Sequence, residues 1–198
     1  MEAAERDAVH PVHHTGAAEL EAGRERLRTA PADEGTVDLV VVRPDRFLRR
    51  VVEEGEIDLE QGMVGDRWTV RKKGLDDQIT VTNARYLELI AGGRDPERWA
   101  QAGDQLYVDY DISHTNLPVG SRFTVGEVVL EVSPDPHHGC GKYMKRFGVE
   151  AMKFANTEEG RELRLRGLHA RVIEPGVVRR GDRIAKLAER PSSPGQPG

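Results

Sequence analysis

Two alternating runs, Phe123-Thr124-Val125 and Val128-Val129-Leu130-Glu131-Val132, switch their apolar parity from odd to even across Gly126-Glu127. A two-residue turn with Gly first makes that switch while keeping Phe123, Val125, Val128, Leu130 and Val132 on one face, which predicts a β-hairpin. Period two recurs elsewhere. Val37 to Val42 is a β-branched run ended by Arg43-Pro44, Ile79 and Val81 alternate with Thr80 and Thr82, and Leu106 and Val108 alternate with Tyr107 and Asp109. A Gly-polar token accompanies these runs: Gly65-Asp66-Arg67, Gly103-Asp104-Gln105, Gly120-Ser121-Arg122 and Gly181-Asp182-Arg183, the last three opening strands. Such corners are what a strongly bent sheet or barrel requires. Glu174-Pro175-Gly176-Val177, with Pro at i+1 and Gly at i+2, predicts a type II turn between a strand over 168–173 and a final strand near 183–187.

Helices are few. Thr15 is placed to cap a helix over Ala17 to Arg28 whose strong apolar residues are Leu20 and Leu27, so that it lies on a surface or frays. Asn83 caps Ala84 to Ala91, which Gly92-Gly93 stops, and Asp95-Pro96 starts a turn through Trp99. Met144, Phe147, Gly148, Ala151 and Met152 fall on one helix face, and Asn156 with Glu159 resembles a capping box for a helix to Leu165. The sum is a β-dominated α+β fold, a compact barrel with short helical insertions. Residues 1–34 read as a partly helical extension, 35–188 as the domain, and 189–198, rich in Pro, Gly and Ser, as a disordered tail.

A single cysteine, Cys140, in 198 residues excludes internal disulfides and multi-cysteine metal sites, and makes a reducing, cytoplasmic setting the default. No stretch approaches the roughly 18 apolar residues of a membrane span, and the N-terminus lacks the pattern of a signal peptide. A net charge of -5 gives no global reason to bind nucleic acid or anionic lipid. Small-molecule or protein partners are expected instead. Of the 29 basic residues 23 are Arg, whose planar fork suits oxyanions, although a composition bias explains the same count.

The chemistry concentrates in Pro134-Asp135-Pro136-His137-His138-Gly139-Cys140-Gly141-Lys142. Flanking glycines open access to the thiol, while His137, His138, Lys142 and a helix start supply positive charge. Together these favour the thiolate, the form that acts as nucleophile and soft-metal ligand. The competing reading is an inert buried cysteine. Adjacent His137 and His138 cannot both face one metal from an extended segment; their simplest role is solvent-exposed. His114, in Ser113-His114-Thr115-Asn116, is a loop-borne polar group to which the sequence assigns no role. Neither a nucleotide-binding glycine pattern nor a Gly-x-Ser-x-Gly elbow is present.

The segment around Cys140 resembles the MOSC domain family, named after the C-terminal domain of molybdenum cofactor sulfurase, in its stand-alone bacterial form. The resemblance runs in order through Gly62-Met63-Val64-Gly65-Asp66-Arg67, Gln78 to Asn83, Gly103-Asp104-Gln105-Leu106, the hairpin leading to Cys140, and Arg166-Gly167-Leu168-His169-Ala170-Arg171-Val172, followed by Pro175-Gly176 and Gly181-Asp182. It implies a barrel-like fold and a functional cysteine at Cys140. Two departures stand out: Cys140 follows His138-Gly139 rather than Pro or an Arg-x pair, and Asp104-Gln105 replaces the usual Glu-Asn.

The resemblance implies two mechanisms. In one, Cys140 carries a persulfide received from a cysteine desulfurase-type donor, with Lys142 and His138 stabilising the thiolate; the pyridoxal phosphate associated with the family then belongs to the donor. In the other, Cys140 ligates the metal of a molybdenum cofactor, Lys142, Arg146 and Arg166 hold the pterin phosphate, Asp104 or Asn116 lies near the metal, and an electron-transfer partner supports reduction of a small N-hydroxylated substrate. For Arg146 and Arg166 the plain alternatives are a solvated helix face and a strand-edge ion pair. A third reading, of another class, is a non-catalytic binding domain with an incidental cysteine.

Overall fold

The computed structural model describes residues 14–71, 74–137 and 141–188. His138 and Cys140, residues 1–13 of the N-terminal extension and the 189–198 tail lie outside the described residues. The chain begins with α1 (Ala17–Arg28), β1 (Glu34–Val42), β2 (Arg50–Val52), β3 (Glu54–Asp58), β4 (Gly62–Met63) and α2 (Trp68–Arg71). It continues through β5 (Ile79–Asn83), α3 (Ala84–Ala91), α4 (Pro96–Ala100), β6 (Leu106–Asp109), β7 (Arg122–Val125) and β8 (Val128–Val132). Then come α5 (Gly141–Phe147), α6 (Val149–Ala155), α7 (Glu158–Glu162), β9 (Leu168–Glu174), β10 (Gly176–Arg179) and β11 (Arg183–Lys186).

Among the described residues seven strands close into a barrel in the order β11-β7-β8-β9-β5-β6-β1, sealed by pairing of β1 with β11. All neighbours are antiparallel except β5 and β6, joined in parallel through the α3–α4 crossover. The hairpin forms as its parity requires: Val125 pairs with Val128 and Gly126 takes φ +57°. The four corner glycines, Gly65, Gly103, Gly120 and Gly181, all adopt positive φ, between +79° and +89°. At such corners a side chain would be strained.

The barrel interior is filled by Val37, Val40, Ile79, Val81, Leu106, Val108, Phe123, Leu130 and their neighbours. A second core forms where the helices cover the outside, with Leu39, Val41, Tyr86, Trp99, Tyr107, Tyr143 and Phe147. Strand β1 serves both. Val37 and Val40 point inward while Leu39 and Val41 point out, a change of phase that the register shift between Val37 and Leu39 provides. Strand β5 is buried along its whole length, so its Thr80 and Thr82 do not mark a solvent face.

Several local expectations are corrected. Gly176 has no positive φ and opens β10, which pairs with β3 in a separate three-stranded sheet; 168–179 is therefore two strands rather than a strand and a type II turn. Gly148 at φ +92° divides the expected single helix into α5 and α6. Thr157, whose hydroxyl accepts from the Gly160 amide, caps α7, while Asn156 ends α6. Thr15 leaves α1 uncapped and donates to the Leu89 carbonyl at 2.9 Å. Helix α1 packs on α3 and α6 through buried Leu20 and Leu27, and Arg24 and Arg28 both grip Glu159.

Candidate functional site

The site is assembled where two Gly-Asp corners meet. At the first, Asp66 accepts the Trp68 and Arg43 amides and pairs with the Arg43 guanidinium at 2.8 Å. Arg43 then donates to the carbonyl of Gly103 at 2.7 Å, tying this corner to the second. There Asp104 is fully buried and Arg166 meets it at 2.8 Å, with a further bond from Arg166 to the Ala102 carbonyl. The guanidinium lies 4.5 Å from the Tyr143 ring centroid, linking the pair to α5. Burial acts to lower the Arg166 pKa, but Asp104 outweighs it and holds the group above its ordinary value.

The segment leaving β8 packs onto the same pair. His137 Nε2 lies 3.4 Å from the second Asp104 oxygen, close enough for attraction but without hydrogen-bond alignment. Its ring sits 4.4 Å from that of His169, which in turn faces Asp135 at 3.2 Å. His137 is thus largely covered by protein, not solvent-exposed as its sequence position implied.

Two of the clefts that border this group of side chains bear on the chemistry. One, of about 360 Å³, is lined by Trp68, Asp77, Asp135, His137 and His169. The other, of about 840 Å³, begins at Gly141 and is cationic: Arg43, Arg46, Arg49 and Arg67 approach from β1–β2 and the β4–α2 connection, Lys142, Lys145 and Arg146 from α5, and buried Arg166 completes it. No Asp or Glu lines it among the described residues. Arg49 is pushed below its ordinary pKa by burial and then by Arg146 and Arg43; Lys142 is lowered by partial desolvation and then by Arg46 and Arg146. These cations repel one another, and a bound anion would relieve that repulsion.

The structure brings Lys142, Arg146 and Arg166 to one cleft, with Asp104 paired to Arg166, while His138 and Cys140 lie outside the described residues. Arg146 is no merely solvated helix residue, since it donates to the Gln101 carbonyl at 2.7 Å. Asn116 is not brought to the group. Its amide donates to the carbonyls of Ala32 and Asp111 at 3.0 and 2.7 Å, which makes it a loop staple. His114 has a partner, the Arg164 guanidinium at 3.1 Å. Sequence reasoning passed over Arg43, Arg46, Arg49 and His169. The usable signal was an Arg at every third position between two strands. Among the described residues no cluster of three or more His, Cys, Asp or Glu could hold a metal, and no helix is long and apolar enough to cross a membrane.

His169 gives a pH test of this geometry. Burial pushes its imidazole below the ordinary value, against the pull of Asp135. The folded chain then binds this proton less readily than the unfolded one, whose His titrates near 6.5. The stability it contributes is present above about pH 6.5 and is lost as pH falls toward the folded value. Melting temperatures measured from pH 7.5 to 5 are expected to fall more steeply for the native chain than for His169→Gln. Parallel curves would place the ring in solvent.

The MOSC domain family model matches residues 74–185. The match leaves out β1, although that strand closes the barrel. Among solved structures the fold is similar to that of the YUAD protein from Bacillus subtilis, with TM-score 0.58 and 16% identity over 79% of this chain and 97% of that one. It is also similar to YiiM from Escherichia coli, with TM-score 0.51 and 21% identity over 78% and 71% of the two chains. No curated protein matches the sequence.

Proposed function

The chain belongs to the MOSC domain family, and from that premise we propose that it holds a molybdenum cofactor, with Cys140 as the thiolate ligand and the cationic cleft as the seat of the pterin phosphate. The observation that carries this reading is the cleft itself. A persulfide carrier needs an accessible thiol, a neighbouring cation to favour the thiolate and a docking face; it does not call for a cleft that gathers eight cations with no carboxylate in its lining among the described residues. The donor set fits the group: Lys142 and Arg146, which line the cleft from α5 and meet no carboxylate in its lining among the described residues, supply charge-assisted bonds to a phosphate. A thiolate suits the softer metal centre.

When bound, the cofactor supplies two-electron reduction of a small N-hydroxylated substrate, with electrons delivered by a partner. The chain's own residues do the rest. Arg166 and Asp104 fix the corner at Gly103, against which the 134–137 segment lies. His137 and His169 line the smaller cleft, where their ring nitrogens can hold or pass a proton to a bound molecule. The lone thiolate implies a reducing, cytoplasmic setting. Pyridoxal phosphate remains with a sulfur-donating partner.

Protein purified from a host that makes molybdenum cofactor is expected to contain stoichiometric molybdenum, and Cys140→Ser to contain none. If metal is absent and a desulfurase instead adds the mass of one sulfur atom to Cys140, the sulfur-carrier reading replaces this one. If neither occurs, the chain is a binding domain with an incidental cysteine.

A further inference from the structure

The cleft holds more positive charge than one phosphate ester can balance. Two of its cations are already neutralised, Arg43 by Asp66 and Arg166 by Asp104. Arg46, Arg49, Lys142, Lys145 and Arg146 form no ion pair with a carboxylate among the described residues, yet all line the cleft. A phosphate monoester carries roughly two negative charges at neutral pH. About three cations are left without an anion.

These cations come from two separate stretches. Lys142, Lys145 and Arg146 stand on α5, while Arg46 and Arg49 stand on the β1–β2 connection, where Arg49 Nη1 holds the Arg46 carbonyl at 2.9 Å and so stiffens the pair. Between the two stretches lies the Phe47 ring, with the Lys142 ammonium 5.0 Å and the Arg46 guanidinium 5.4 Å from its centroid. The buried, unpartnered Nε of Arg49 shows that the second stretch has unused donor capacity.

We propose that the cleft takes a ligand bearing two linked phosphoryl groups, a diphosphate, with the α5 cations on one and Arg46 with Arg49 on the other. This deepens the cofactor reading at the same cleft, because it assigns the anion of the bound group a second phosphoryl. The test uses neither molybdenum nor catalysis, so the two ideas fail separately.

Binding of inorganic phosphate, pyrophosphate and hexaglutamate to the full chain is measured by calorimetry at physiological ionic strength, where screening over about 8 Å suppresses diffuse attraction. Pyrophosphate is expected to bind at least about tenfold more tightly than phosphate, the yield of one added charge-assisted contact. The double variant Arg46→Gln with Arg49→Gln should reduce pyrophosphate to the level of phosphate while leaving phosphate affinity and the melting temperature of the free protein close to native. Equal affinities for the two anions would overturn the proposal, as would an undiminished preference in the double variant. Tighter binding of hexaglutamate would also overturn it, in favour of an acidic protein partner.

Discussion

Asp104→Ala is expected to lower stability by about 3–5 kcal/mol, the usual cost of stripping one partner from a buried ion pair. For a chain of this length that corresponds to a fall of roughly 10 °C in melting temperature. The cause is specific. Arg166 is 9% exposed, bonded to Asp104 and stacked near Tyr143, and without the carboxylate its charge stays buried with one carbonyl for company. Arg166→Met should be comparably harmful, because it strands the carboxylate instead. The double variant Asp104→Leu with Arg166→Met should recover much of the loss, since a buried pair replaced by apolar groups of similar volume is often tolerated. Thermal and denaturant melts of the three variants decide the matter. A loss below about 1 kcal/mol in Asp104→Ala would mean that the pair is worth no more than an exposed one.

Gly167→Ala is the second large effect. This residue has φ +101°, and a Cβ there would lie 2.4 Å from the Val81 carbonyl oxygen and 3.0 Å from His137 Nδ1. The backbone oxygen belongs to β5, within the barrel wall, and cannot step aside. Strain at positive φ costs about 1–3 kcal/mol by itself, and the clash adds to it, so a total loss of about 3 kcal/mol or more is expected. Gly141→Ala is the matched control, because a Cβ there meets nothing within 4 Å. It should be neutral or slightly stabilising at the start of α5. Similar melting temperatures for the two variants would remove the argument. The expected pattern would show that the close approach of Gly167 to the β5 backbone leaves no room for a side chain.

These two residues also mark what a linear reading can and cannot find. The β7–β8 hairpin and the Gly-Asp corners are legible because their signals lie within a few residues of each other: a parity switch, or a glycine followed by an acid. The break at Gly148 is not legible, since Met144 to Met152 keeps helical periodicity across it and only the backbone angle separates α5 from α6. β2, β3, β4 and β10 are too short or too polar to stand out. The cleft is the clearest case. Lys142 and Arg146 are visible beside Cys140, but Arg46 and Arg49 reach them only because β1 and β6 are neighbours in the barrel wall. Arg166 was legible as a basic residue near the site; its role as the buried partner of Asp104 depends on a corner and a strand start far apart in sequence.

The pairing of β1 with β11 has a consequence for how the chain reaches its native state. On the edge of β1 that faces β11, Glu34, Gly35 and Thr36 find their partners only at Ala185, Ile184 and Arg183. During synthesis every earlier strand is made before the seam can form, and β1 and β7 wait with open hydrogen-bonding edges. Contacts of such long sequence separation form slowly, because loop-closure entropy is spent before they repay it. A chain cut short before Arg183 retains most of its apolar strands but has no means of covering those edges, which makes self-association its characteristic failure.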